Sequence, residues 1–159
     1  MAIFTDFFRF IDPHLFIAAA LGACIGLERE ISGKDPSLRT FALISLGSCI
    51  FTLVSVQIVS GAPHADPSRI AAQVVTGIGF LGAGAIFRSE TRVNGLTTAA
   101  LMWCTSAIGV AVGADRIDLA LSATIVALFC TFGLRIVHKV IRLLRGEENQ
   151  RSVAAAPLD

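Results

Sequence analysis

Charged and amide residues gather where the apolar runs of this chain end. Glu28, Arg29, Glu30 and Arg39 flank one polar loop, and Arg88, Glu90, Arg92 and Asn94 occupy a second. Carboxylates among guanidinium groups can pair with them, bind a cation, or sit in water at a helix end. On insertion scales a charge deep in a membrane helix costs at least about 2.5–3.5 kcal/mol. Two readings therefore stand: the side chains reach out to the interface and pair Glu with Arg, or they form a functional polar cluster. Glu28 and Glu30 are the candidate metal ligands, yet on a helix they project to nearly opposite sides, so at most one faces a given pocket. No carboxylate lies in the middle of an apolar run. A divalent-cation path would rely on amides, hydroxyls and retained water, and Mg²⁺ sheds water reluctantly. Asn94 fits both a helix cap and a site residue.

A second pattern is a stripe of hydroxyls. Ser45, Ser48, Thr52 and Ser55 recur at spacings of three, four and three, on one face of a helix. Such a stripe either hydrogen-bonds between helices or lines a hydrated path. Gly77-x-Gly79-x-x-Gly82 matches a dinucleotide fingerprint in letters only. The motif needs a preceding strand and a water-facing helix start, whereas here it lies inside an apolar run. Helix packing is the better use for Gly77, Gly79, Gly82 and Gly84, as for Gly22 and Gly26, which form a G-x-x-x-G pair. Cys24, Cys49, Cys104 and Cys130 fall in four separate apolar runs with no metal spacing, and read as small packing residues. With no Ser/His/Asp grouping and no HExxH, an enzyme is not expected.

The elements that must position these residues are membrane helices. Of 159 residues 54% are hydrophobic and 16% charged, with mean hydropathy +0.73; soluble domains carry about 25% charged residues. Several apolar runs approach the roughly 20 residues that cross a bilayer. The fold class expected is all-α, a polytopic bundle of five spans. Residues 1–12 form an interfacial segment, with Phe4, Phe7, Phe8 and Ile11 on one face. Residues 13–145 hold the spans: Pro13 to about Glu28, Leu38 to Ser60, Ser68 to Phe87, Leu96 to Val112, and Ile117 to about His138. Asp12-Pro13 supplies a cap and first helical residue for span 1. Residues 146–159 read as a disordered cytoplasmic tail.

Ten Lys and Arg fall on one side of such a bundle and three on the other. That bias places the N-terminus outside and the C-terminus in the cytoplasm. The first residues lack the features of a cleaved leader, and net charge +1 gives no pull towards nucleic acid. The partners expected are the lipid bilayer and either a second copy or another membrane protein.

The chain also suggests an internal duplication. Leu21-Gly22-Ala23 and Leu81-Gly82-Ala83 each open the last third of a span, and each span runs into a charged loop. The next spans begin Leu38-Arg39-Thr40-Phe41-Ala42-Leu43 and Leu96-Thr97-Thr98-Ala99-Ala100-Leu101, alike at four of six positions. Spans 1–2 and 3–4 would then be two parallel hairpins related by an axis along the membrane normal. Chance similarity among small apolar residues is the other reading.

Four blocks carry a family resemblance: GLERE (Gly26–Glu30), LRTFALISLGS (Leu38–Ser48), RIAAQVVTGIGFLGAGAIFR (Arg69–Arg88) and NGLTTAALMWCTSAIGVAVG (Asn94–Gly113). Together they resemble the membrane domain of the MgtC/SapB family over roughly Leu15 to Leu134. The resemblance implies a multi-pass inner-membrane protein of magnesium homeostasis, tied to adaptation to low magnesium and, in pathogens, to virulence. Family members are viewed as magnesium transporters or as regulators of other membrane proteins, the proton-translocating ATP synthase among them. The family's characteristic positions map to Glu28, Arg39, Gln73, Asn94 and Thr98. With Arg29, Glu30 and Arg88 these make up the candidate polar cluster. Longer members carry a soluble C-terminal domain, so a short form is implied. No cofactor is expected beyond Mg²⁺ as ligand or substrate. A regulator acting by helix contact is the expectation, with a cation transporter using the hydroxyl stripe and charged cluster as the alternative.

Overall fold

The computed structural model of the chain describes residues 12–60, 66, 68–88 and 93–133. The expected interfacial segment, Glu90, Arg92, His138 and the tail lie outside the described residues. Contacts divide the chain into two units, Met1–Ala127 and Leu128–Asp159. Residues 128–133 of the second are helical, with Thr131 Oγ1 donating to the Leu128 carbonyl at 2.9 Å.

The described residues are almost wholly helical, as the composition requires. Helix α1 is Pro13–Ile31, α2 Leu38–Ser60, α3 Ser68–Ala85, α4 Leu96–Gly113 and α5 Ile117–Gly133. Asp12 caps α1, its carboxylate accepting from the His14 N–H at 2.9 Å with Pro13 in the first turn. Two of these helices, over Leu38–Ile58 and Leu96–Gly113, are long and apolar enough to cross a membrane.

Two boundaries differ from the sequence reading. Helix α3 stops at Ala85 rather than Phe87, because Phe87–Arg88 (β1) and Val93–Asn94 (β2) form a short antiparallel pair with Phe87 opposite Asn94. Asn94 is therefore not the cap of α4. That position belongs to Gly95, at φ 87°. A Cβ there would overlap the Ala85 carbonyl, so both the left-handed backbone and the close approach require glycine.

Helix α2 packs against α1 on one side and α4 on the other, α3 packs on α4, and smaller contacts join α1 to α4 and α2 to α3. Glycine sets the first two approaches. A Cβ on Gly22 would lie 2.5 Å from the Phe41 carbonyl oxygen, and one on Gly26 2.5 Å from Leu38 Cα. A Cβ on Gly109 would overlap the Ser45 carbonyl, and one on Gly113 would lie 2.7 Å from the Cys49 carbonyl oxygen. Gly22 and Gly26 thus lie where α1 comes closest to α2. Gly82 makes only an ordinary contact, 3.6 Å from Ala99 Cβ, and nothing lies within 4 Å at Gly77, Gly79 or Gly84. Those three face open space because α3 contributes little to the packed centre.

The core is small and unusually polar. Ala18, Ile25, Phe41, Cys49, Ile108 and Val112 are buried, and so are Glu28, Arg29, Ser45, Ser48, Thr105 and Ser106. Large apolar side chains point outwards instead, among them Phe80 at 81% and Phe129 at 75% exposure. Water-soluble domains bury their large apolar residues and leave charged ones outside.

Gly109→Ala should lower the thermal unfolding midpoint in detergent, at an overpacking cost of about 1–3 kcal/mol. Gly47→Ala, with open space at its Cβ, should be neutral or stabilising by up to about 1 kcal/mol. Equal tolerance of both would show that the α2–α4 approach is not tight.

Candidate functional site

The end of α1 carries Glu28 and Arg29, and both are buried, at 2% and 3% exposure. They do not reach outward to water. Consecutive residues on a helix point about 100° apart, so each meets a different neighbour. Glu28 turns to its own C-terminal cap, where Ser32 Oγ donates to Oε1 at 3.0 Å. Arg29 turns to α4, and its Nη2 donates to Thr98 Oγ1 at 2.9 Å. The Arg29 Nε–H is also buried and has no hydrogen-bond partner. Thr98 Oγ1 in turn lies 3.5 Å from the Asp35 backbone carbonyl. Glu30 is exposed and its Oε2 accepts from the Leu38 N–H at 3.3 Å, tying the end of α1 to the start of α2.

Of the candidate cluster, then, the fold brings Arg29, Thr98 and Asn94 together around one cavity of about 930 Å³. Lys34, Asp35 and the first turn of α4 complete its polar wall, and Leu81, Phe87, Leu96 and Met102 its apolar wall. Arg39 and Arg88 are exposed and outside that lining. Gln73 lines a separate, apolar cavity of about 670 Å³ between α2 and α3, with Thr40, Leu43, Phe51 and Gly77. Glu28 and Glu30 do not converge on one site. Among the described residues no group of three His, Cys, Asp or Glu could hold a metal ion.

The hydroxyl stripe is packed. Ser48 Oγ lies 2.8 Å from Ser106 Oγ of α4 and donates to the Ile44 carbonyl at 2.9 Å. Thr52 Oγ1 donates to the Ser48 carbonyl at 2.8 Å, and Ser45, Ser48, Thr52 and Ser55 are all buried. Ser48 borders the apolar cavity between α2 and α3.

Sequence reasoning missed two features. Lys34 and Gly95 join the Arg29 cavity only through tertiary folding; the signal available was the Asn94-Gly95 pair, which favours a left-handed turn. At the other end, His14 Nδ1 lies 2.6 Å from Asp12 Oδ1 and its Nε2 3.2 Å from Asp115 Oδ1, joining the start of α1 to the α4–α5 turn. The His14 N–H, and then its ring, hold the Asp12 carboxyl below the usual carboxylate range.

Two outcomes follow. Thr98→Val keeps the shape but strips a buried cation of its acceptor, and should cost about 1–3 kcal/mol in detergent unfolding, with Thr98→Ser restoring most of it. Asp12→Ala should cost about 0.5–2 kcal/mol at neutral pH. Because the folded carboxyl titrates low, wild type holds this advantage above the ordinary carboxylate value and loses it as pH falls through the depressed one. The two chains' melting midpoints should therefore converge in acid.

A model described as the MgtC family matches residues 15–140. Protein MgtC of Salmonella typhimurium strain LT2 is 46% identical over 122 residues, 77% of this chain and 51% of its own. YhiD of Escherichia coli K12, whose name marks it as a candidate magnesium transporter, is 42% identical over 137 residues, 83% of this chain and 62% of its own. An uncharacterised Haemophilus influenzae protein is 41% identical over 134 residues, 80% of this chain and 56% of its own. The chain thus spans little more than half the length of these relatives. No solved structure matches it. The matched region contains every element that builds the Arg29 cavity and the α2–α4 contact. This chain belongs to the MgtC family.

Proposed function

We propose that the chain is a multi-pass inner-membrane protein of magnesium homeostasis that regulates another membrane protein by helix contact. It catalyses no reaction. The polar centre and apolar exterior support the membrane setting, since lipid accepts Phe80 and Phe129 where water would not. The charge bias supports an external N-terminus and a cytoplasmic end at the Arg29 cavity. The magnesium connection comes from the relatives' names.

The observation that carries the regulatory reading is the contrast between two faces. The hydroxyl stripe, which a transport path would need open, is buried against α4. On α3, where a partner helix would need open backbone, Gly79 has nothing within 4 Å and lines neither cavity. Bare glycine backbone suits close approach by another membrane helix, from a second copy or a different protein such as the ATP synthase. The transporter reading has the name of the Escherichia coli relative in its favour.

The two-hairpin reading gains support from register. Ser48 and Ser106 have the same offset that aligns Leu38 with Leu96, and their hydroxyls touch at 2.8 Å. A residue meets its own equivalent only on a symmetry axis. Likewise Gly22 abuts Phe41 and Gly82 abuts Ala99, which are equivalent pairs in that alignment.

Crosslinking in native membranes followed by purification should recover a stable membrane partner, and Gly79→Leu should abolish its recovery while leaving the chain folded. In liposomes the purified chain should pass no Mg²⁺. A Mg²⁺ flux abolished by Glu28→Gln would overturn the regulatory reading in favour of transport.

A further inference from the structure

The cavity at the end of α1 holds a charge problem. Arg29 is a guanidinium at 3% exposure, it donates to one neutral hydroxyl, and its buried Nε–H has no partner. Among the described residues no carboxylate pairs with it. Its chain neighbour Glu28 is buried as well and accepts from Ser32 Oγ, with no ion pair to Arg29. A buried cation left without a counter-charge is costly by several kcal/mol, so a lining of this kind calls for an anion.

Three further features of the same cavity favour one. The first turn of α4, Gly95 to Thr98, lines it. The first N–H groups of a helix have no partner within it, and they carry the positive end of its dipole. The cap residue is Gly95, with no side chain to satisfy them, and no side-chain cap bond is made. An Asp, Ser, Thr or Asn at that position would supply a side-chain acceptor, which glycine does not. Finally, Lys34 stands on the wall, with the hydroxyls of Thr97 and Thr98 and the amide of Asn94. Among the described residues Asp35 is the one acidic residue on the lining, and it is exposed.

We propose that this cavity binds a phosphate group, seated between the Arg29 guanidinium, Lys34 and the N-terminal turn of α4. A tetrahedral oxyanion can accept from a guanidinium fork and from helix N–H groups at once. At about 930 Å³ the cavity exceeds the needs of a bare ion, and its other wall is apolar, with Leu81, Phe87, Leu96 and Met102. That division suits a phosphate attached to an acyl chain, as in an anionic phospholipid headgroup. Free inorganic phosphate has the same recognising chemistry. The site stands on its own geometry, apart from whether the chain regulates or transports.

The test uses the full chain purified in a neutral maltoside detergent. Inorganic phosphate is titrated by calorimetry in one arm. In the other, phosphatidylglycerol retained against phosphatidylcholine is measured by native mass spectrometry. Saturable binding in the first arm assigns free phosphate, and selective retention in the second alone assigns the headgroup; either supports the site. Arg29→Gln should weaken whichever is bound by about tenfold or more. Lys34→Glu, on an exposed residue that leaves the fold intact, should weaken it several-fold, and decides the matter if Arg29→Gln fails to fold. Arg69→Gln, remote in the chain and outside the cavity lining, should bind as wild type. Wild type that takes up neither probe overturns the proposal, as does Lys34→Glu binding as tightly as wild type.

Discussion

The approach of α4 to α2, backbone against backbone, is the contact on which the remainder of this fold depends. Gly109 and Gly113 leave the Ser45 and Cys49 carbonyls no room for a side chain. At that separation only small residues fit between the axes, so the interface is made of Ser, Thr, Cys and Gly. Three of the hydroxyls it encloses settle their bonds locally, Ser48 on Ile44 and Ser106, Thr52 on Ser48 and Thr105 on Leu101, whereas the buried Ser45 hydroxyl has no hydrogen-bond partner. Small polar residues share the centre with Ile25, Phe41, Ile108 and Val112, while Phe80, Phe129 and other large apolar side chains cover the outside. An exterior of that kind suits an apolar surrounding.

The same contact explains how the two hairpins differ. In the first, Gly22 and Gly26 bring α1 hard against Phe41 and Leu38. In the second, Gly82 sits at ordinary distance from Ala99. The first is closed by Gly22 and Gly26, while at Gly77, Gly79 and Gly84 of α3 no atom lies within 4 Å.

Much of this was legible in the residues. Three-four-three spacing put Ser45, Ser48, Thr52 and Ser55 on one buried face, and Asp12-Pro13 marked the start of α1. The G-x-x-x-G pair at Gly22 and Gly26 found its close helix. The pattern could not say which glycines have a partner, because that depends on which helices become neighbours, and so it did not separate Gly77, Gly79 and Gly84, with nothing within 4 Å, from Gly22 and Gly26. The cap of α4 was misplaced by one residue because Asn94 and Gly95 both suit a helix start. What decided between them is the Ala85 carbonyl, ten residues earlier in the chain. Arg29 was legible as a charge and not as a buried one, since its acceptor Thr98 lies 69 positions away.

That burial is the most informative departure from expectation. A charged residue at the end of an apolar helix usually has a cheap solution, which is to extend its long side chain into water. Arg29 lies within the last three residues of α1 and does not take it. The geometry of the chain explains why: Gly26 holds α1 so close to Leu38 that the turn carrying Arg29 sits under the start of α2, with Lys34 and Asp35 looping over it. Burial of the guanidinium is thus a consequence of tight packing one turn earlier, and one hydroxyl does not offset its lost hydration. Tight packing in the first hairpin and a buried guanidinium with no carboxylate partner among the described residues are two results of a single constraint.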